Sequence, residues 1–109
     1  MKRKLFILTI LIVAFFAFSP NVFAEDWCHT FNITMQKGDS GDEITALQTA
    51  LMKEGLLNIK QPTGYFWTLT FNAVVAFQEK YADEILAPLG LTKGTGKVAN
   101  ATRAKLNQL

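Results

Sequence analysis

The sequence predicts a small all-α domain, a three-helix bundle of the kind built from short loop-to-helix corners. Apolar residues recur at intervals of three and four along separate segments, which is the spacing of one face of an α-helix. Turns rich in glycine and proline divide these segments. No run of alternating apolar and polar residues is long enough to build a sheet. At most, we expect an isolated extended pair in the loops.

The first 24 residues have the features of a secretory signal peptide. Three basic residues at positions 2–4 precede a 14-residue run, 5–18, that has one polar interruption. A membrane-spanning helix needs about 20 apolar residues, so the run is too short for one. Ala24 is the small residue expected before a cleavage site. We therefore expect export to the periplasm, the cell wall or the extracellular space, with no stable membrane insertion after cleavage.

The remaining 85 residues have an ordinary globular composition and almost no net charge. They contain 37 apolar residues, eight basic residues and nine acidic ones, for a net charge of −1. A nucleic-acid-binding surface depends on phosphate contacts and needs a basic excess. The single cysteine excludes an internal disulfide and a zinc site with several cysteines. We expect no nucleic-acid partner, no metal and no cofactor.

Residues 25–34 have no helical or alternating pattern, and we expect a tether or a strap lying across the domain 35–109. Cys28 and His29 are adjacent there. Neighbouring residues seldom point at each other, and a thiol enzyme also needs an orienting group and an oxyanion site, so no catalytic residue is predicted. For the thiol, two alternatives stay open: an intermolecular disulfide, or burial with Trp27 and Phe31.

The first helix is predicted over residues 41–54. Ser40 and Glu43 have the spacing of a capping box at its start. Gly55 lies where a left-handed residue commonly ends a helix. The apolar face between them consists of Ile44, Leu47 and Leu51.

Two more helices follow, predicted over residues 68–81 and 100–109. The loop 56–64 contains a proline and a glycine that interrupt regular structure before the second helix. Between the second and last helices, the segment 82–91 is expected to add one helical turn before Pro88 and a glycine end it.

A seven-residue pattern recurs 32 positions later in the chain. Residues 64–70 and 96–102 share a glycine, an apolar residue two positions on, and a threonine at the last place. The glycine permits the turn, the apolar residue fills the core, and the hydroxyl is expected to satisfy backbone groups in the first helical turn. The repeat predicts two equivalent corners around a pseudo-symmetric core.

The combined pattern resembles the peptidoglycan-binding domain that accompanies bacterial wall hydrolases, over about residues 35–109. The motif positions are Gly38, Gly41, Leu47, Gly64, Phe66, Thr70, Val74, Phe77, Gly96, Val98, Thr102 and Leu106. The resemblance implies a compact three-helix fold and noncatalytic attachment to peptidoglycan, through either its glycan strands or its peptide stems. A separate hydrolase or another wall protein is a possible partner.

Two positions depart from the family pattern. Trp67 and Ala99 stand where the family usually has a second glycine. If that turn required a positive φ, Trp67 would be strained, so we expect a changed loop conformation or a ring turned outward.

Five residues are candidate ligand contacts, namely Tyr65, Trp67, Gln48, Gln78 and Arg103. The two aromatic rings suit stacking on a sugar. Both are expected to point outward, because Phe66 between them occupies the buried position of the motif. The two glutamine amides either contact the ligand or tie down adjacent loops. The guanidinium of Arg103 either pairs with a stem-peptide carboxylate or is solvated.

These observations favour an exported, noncatalytic module that binds peptidoglycan through shallow surface contacts. The alternative is a protein–protein interaction or structural module on the same helical scaffold, with Trp67 as the anchor for a partner. A small hydrolase is not expected, because one histidine and one cysteine cannot supply a nucleophile, a base and a stabilising group.

Overall fold

The computed structural model describes residues 28–109. The expected signal peptide, its cleavage site and Trp27 lie outside this range. The elements are α1 (Asp42–Lys53), α2 (Thr68–Lys80), α3 (Ala82–Ile85), a 3-10 helix (Ala87–Leu89) and α4 (Asn100–Gln108). Within the described range, no helix combines the length and the apolar character needed to cross a membrane.

The all-α class is confirmed, and a fourth helix, of four residues, lies within the segment 82–91, where one helical turn was expected. The three longer helices begin and end within one residue of their predicted bounds. The additional helix is α3, which forms because Tyr81 leaves the helical conformation (φ −111°, ψ 40°) and separates it from α2. Pro88 and the left-handed Gly90 (φ 72°) then end the segment, as expected.

Two isolated antiparallel bridges join the segment before α1 to the two later corners. Met35 and Val98 exchange both backbone hydrogen bonds, with N···O distances of 3.0 and 2.8 Å. Ser40 forms the other bridge with Tyr65. The expectation of isolated extended pairs in the loops is therefore confirmed.

The core contains the apolar residues that the sequence motifs place there. Each is at most 4% exposed: Leu47, Phe66, Val74, Phe77, Val98 and Leu106. Burying a side chain of this size stabilises a fold by about 1.5–3 kcal/mol relative to leaving it exposed. The two corners therefore contribute their apolar residues, Phe66 and Val98, to the same core as the helices.

The capping box predicted at Ser40 and Glu43 is wrong. The residue that precedes α1 is Gly41 (φ 123°, ψ −168°), and no side chain caps the helix. The bridge to Tyr65 fixes the backbone of Ser40 outside the capping position. The Glu43 carboxylate instead lies 2.7 Å from Nε2 of His29, and its position in the first turn remains favourable for a negative charge.

Residues 28–34 pack against the helices through Phe31, which is 3% exposed. Its backbone N–H donates to Oδ1 of Asn107 at 2.7 Å, and its carbonyl accepts from Nδ2 of the same side chain at 2.9 Å. Cys28 is exposed. Burial of the thiol beside Phe31 is therefore wrong, because the chain turns only the phenylalanine inward.

A hydrogen bond between the ends of α1 and α2 makes the stability depend on pH. The hydroxyl of Tyr81 donates to Oε1 of Glu54 at 2.7 Å, and Nζ of Lys80 lies 3.1 Å from the same oxygen. The Tyr81 bond first, and Lys80 after it, hold the pKa of Glu54 below its ordinary value of 4.5, against the opposing effect of burial. This contribution is present above pH 4.5 and is lost as the pH falls through the lowered pKa.

We expect Tyr81→Phe to lower the free energy of unfolding at pH 7 and to have a smaller effect at pH 3. At the lower pH, Glu54 is protonated in the unfolded chain and increasingly in the folded one, so the bond to a charged acceptor no longer contributes. Urea unfolding at both pH values measures the difference, with Tyr65→Phe as the control for loss of an exposed phenol. An effect of equal size at both pH values would contradict the assignment.

Candidate ligand-binding site

The side chain of Gln48, on the buried face of α1, fixes the corner that leads into α2. Its Oε1 accepts the backbone N–H groups of Thr63 and Gly64 at 2.8 and 2.9 Å. Its Nε2 donates to the carbonyl of Tyr65 and to Oγ1 of Thr70, both at 2.9 Å, and to Oγ1 of Thr63 at 3.1 Å. One amide from the preceding helix thus determines the path of the loop.

Gln78 fixes the corner that leads into α4 with the same set of bonds. Its Oε1 accepts from the backbone N–H groups of Thr95 and Gly96 at 2.8 and 2.9 Å. Its Nε2 donates to the carbonyl of Lys97 at 2.9 Å, to Oγ1 of Thr102 at 3.1 Å and to Oγ1 of Thr95 at 3.2 Å. The four partners lie 32 residues after those of Gln48, so the predicted structural repeat of two corners is confirmed.

These networks give the two glutamines the loop-anchoring role that the sequence left as one of two alternatives. Gln48 is 1% exposed and Gln78 is 2% exposed, and both amides make all their bonds inside the fold. The role expected of Thr70 and Thr102 is wrong. Their hydroxyls accept from the glutamine amides, and neither α2 nor α4 has a side-chain cap.

The extended residues before α2 display two aromatic rings. Phe66 is fully buried, whereas Tyr65 and Trp67 are each 56% exposed, so both neighbours point outward as expected. Side chains two positions apart in an extended chain lie on one side, about 7 Å apart along the backbone. Trp67 has φ −117° and ψ −156°, and Ala99 has φ −105° and ψ −161°. Both are ordinary extended conformations with negative φ, so the backbone at Trp67 is not strained.

Tyr65 and Trp67 border a groove of about 290 Å³, called here the aromatic groove. Its other side chains are aliphatic or neutral polar: Leu57, Ile59, Leu69, Gln48, Thr63, Thr68 and Thr70. Leu69 is 64% exposed, while Leu57 is 6% exposed and forms part of the core. The groove therefore combines an exposed aromatic edge with a floor anchored in the folded domain.

Tyr65 also borders a second, shallower groove of about 310 Å³, called here the hydroxyl groove. Its polar side chains are Ser40, Asp42, Thr45 and Thr63, and the glycines at positions 41 and 64 bring its backbone to the surface. Both glycines have positive φ, at 123° and 81°. One aromatic ring thus separates an apolar surface from a polar one.

Neither Gln78 nor Arg103 lines these two grooves. Arg103 is on the second corner, where its guanidinium donates to Oγ1 of Thr34 at 2.9 Å and to Oδ1 of Asn100. A separate cavity of about 340 Å³ lies between Cys28 and the end of α4 at Leu109, and none of the five candidates lines it. Across the part of the chain that the structure describes, no three side chains of His, Cys, Asp or Glu are grouped to hold a metal ion.

The structure thus brings Tyr65 and Trp67 together and places Gln48 beneath them. Leu57, Ile59 and Leu69 were not among the candidate residues predicted from the sequence. One polar residue separates the first two in the loop, and Leu69 lies two positions after Trp67. The spacing of Leu69 could have placed it near Trp67, whereas no spacing gives the path of the loop that carries Leu57 and Ile59.

A family model matches the part of the chain that contains the first corner. The family model described as "Putative peptidoglycan binding domain" matches residues 40–82, which include α1, the aromatic pair and α2. The predicted resemblance to this family is confirmed. No curated protein sequence matches the chain.

Two solved structures are similar to this chain. The SleB N-terminal domain is 29% identical, with a TM-score of 0.59, and the match covers 73% of this chain and 96% of that one. A peptidoglycan-binding protein from Clostridioides difficile, solved in complex with glutamine hydroxamate, is 36% identical with a TM-score of 0.54. That match covers 69% of this chain but 40% of the other, which is therefore considerably longer.

Proposed function

We propose, from the match of residues 40–82 to the peptidoglycan-binding domain family, that this chain attaches to bacterial cell-wall peptidoglycan. The contact surface is the aromatic groove. The observation that carries the proposal is the outward display of Tyr65 and Trp67 on a loop held by the buried amide of Gln48. The face of an aromatic ring stacks on the C–H face of a sugar, and the phenol and indole edges form hydrogen bonds with its hydroxyls.

We further infer that this module is exported and binds without catalysis. Its leader, expected over residues 1–24, supports export to the compartment where peptidoglycan is found. Tyr65 is the only titratable residue that lines the aromatic groove among residues 28–109, whereas general acid–base hydrolysis needs positioned proton donors and acceptors. A shallow contact gives weak affinity for one site, and a wall with many repeated sites compensates by rebinding.

We expect Trp67→Ala to reduce retention on insoluble peptidoglycan sacculi by about tenfold, which corresponds to about 1.4 kcal/mol of binding free energy. The ring is 56% exposed and the backbone is extended, so the substitution removes contact area and leaves the core unchanged. Co-sedimentation of the purified protein at increasing sacculus concentrations gives the isotherm, and cellulose serves as the control polymer.

Leu89→Ala is the matched control, because Leu89 is 62% exposed and lies on the 3-10 helix, outside both grooves. It is expected to bind sacculi like the wild type, and thermal unfolding checks that both variants are folded. Undiminished binding by Trp67→Ala would remove the aromatic groove from the proposal. A folded wild-type protein that stays in the supernatant at high sacculus load would favour the alternative, a module that binds a protein partner.

A further inference from the structure

The geometry points to the glycan strand, and not the peptide stems, as the part of peptidoglycan that the aromatic groove binds. This inference rests on the proposed function and adds the chemical class of its ligand.

The aromatic groove presents no charged side chain from residues 28–109. Its lining is aromatic, aliphatic and neutral polar throughout. Peptide stems of peptidoglycan bear carboxylates and amines, and desolvating such groups without an opposite charge is unfavourable. A chain of N-acetylated amino sugars is neutral when its lactyl groups are joined to stems, and it displays C–H faces and acetyl methyl groups. The groove therefore matches the glycan in charge and in polarity.

The hydroxyl groove, which shares Tyr65 and Thr63 with the aromatic groove, also suits a sugar. Ser40, Thr45 and Thr63 provide hydroxyls, and the only charged side chain that lines it in the described structure is Asp42. A carboxylate accepts hydrogen bonds from sugar hydroxyls and repels the carboxylates of a stem, and only a free stem amine would be attracted to it. A sugar ring stacked at Tyr65 would have its hydroxyl edge toward this groove.

The arginine that suited a stem carboxylate lies elsewhere. Arg103 is on the second corner and donates to Thr34 and Asn100. The second corner also lacks the aromatic pair, since Lys97 and Ala99 occupy the places of Tyr65 and Trp67 in the repeat. The surface that displays aromatic rings and the side chain that favours carboxylates are therefore on different corners.

The test compares three forms of the wall polymer. Intact sacculi contain glycan and stems. An amidase releases the stems, which serve as soluble competitors, and frees the glycan strands. Coupling these strands to beads through their reducing ends, after their lactyl carboxylates are converted to amides, gives an immobilised and neutral stripped glycan. We expect the purified protein to be retained on stripped glycan within about twofold of its retention on intact sacculi. Soluble glycan oligomers should compete and quench Trp fluorescence, and released stems should do neither. Trp67→Ala should reduce retention on stripped glycan, and Leu89→Ala should not.

Ionic strength gives an independent measurement. Because the groove is uncharged, raising the salt from about 0.05 M to 0.5 M should change retention by less than about twofold, although this screens exposed charges strongly. Binding to intact sacculi that disappears on stripped glycan, or that released stems compete for, would overturn the glycan assignment while wall binding stands. A folded protein that binds neither polymer would instead overturn the proposed function.

Discussion

Gln78→Leu is expected to lower the free energy of unfolding by about 4 kcal/mol, because leucine cannot replace the buried amide. The amide oxygen accepts two backbone N–H groups, and its two N–H donors are shared among three acceptors. Leucine has a similar volume, so the core is not emptied. The stability is lost because the amide's partners lose their hydrogen bonds. The N–H of Gly96 and the hydroxyl of Thr102 are buried and become unsatisfied. Each such group costs about 1–3 kcal/mol, whereas the more exposed partners at Thr95 and Lys97 can reach water.

Urea unfolding followed by circular dichroism measures this change. Gln108→Leu, on the exposed end of α4, is the control and is expected to stay within about 0.5 kcal/mol of the wild type. A loss below about 1 kcal/mol for Gln78→Leu would mean that water replaces the amide, and that the second corner does not depend on it.

The equivalent substitution Gln48→Leu separates stability from binding. By the repeat it should destabilise the fold by a similar amount, but it also releases the carbonyl of Tyr65 and with it the loop that carries Trp67. Under conditions where both variants are folded, Gln48→Leu should weaken retention on sacculi and Gln78→Leu should not. Preorganisation explains the difference, since a loop that is already ordered loses less entropy when it binds.

Local periodicity and glycine placement predicted most of the fold. The apolar spacing that predicts α1 and α2 can be recognised within two helical turns of sequence. The glycine at position 55 has φ 75° and follows the end of α1, as its place in the sequence suggested. The buried Phe66 between two exposed rings follows from the alternation of an extended chain, again a local property. Patterns of this kind are visible in sequence because their causes lie within a few residues.

The features that sequence did not predict depend on distant parts of the chain. Ser40 has the composition of a cap, but its backbone pairs with Tyr65, 25 positions away, which removes it from the capping geometry. Thr70 lies in the first turn of α2, yet its hydroxyl accepts from an amide on another helix. Local hydrogen-bonding preferences compete with tertiary partners, and here the tertiary partners prevail.

The sequence predicted the aromatic rings of the candidate site but not the aliphatic residues that line its floor. Tyr65 and Trp67 were identified from their neighbour Phe66, whereas Leu57 and Ile59 belong to a loop whose path depends on the bonds of Gln48. A polar residue on the apolar face of α1 indicated an internal role without naming its partners. Which residues line the groove therefore depends on the hydrogen bonds of Gln48, and these bonds cannot be inferred from sequence spacing alone.

Gly96→Ala is expected to destabilise the fold by about 3 kcal/mol, from two separable causes. Gly96 has φ 80°, a left-handed conformation that costs an L-residue about 1–2 kcal/mol. A Cβ there would also lie 2.1 Å from Cε1 of Phe71, so the ring must move from its place beside the second corner. Gly90→Ala isolates the first cause, because Gly90 has φ 72° and no atom within 4 Å of the added Cβ. Chemical unfolding of both variants gives the difference: a larger loss for Gly96→Ala assigns the remainder to the Phe71 ring, whereas equal losses would mean that the ring yields without cost.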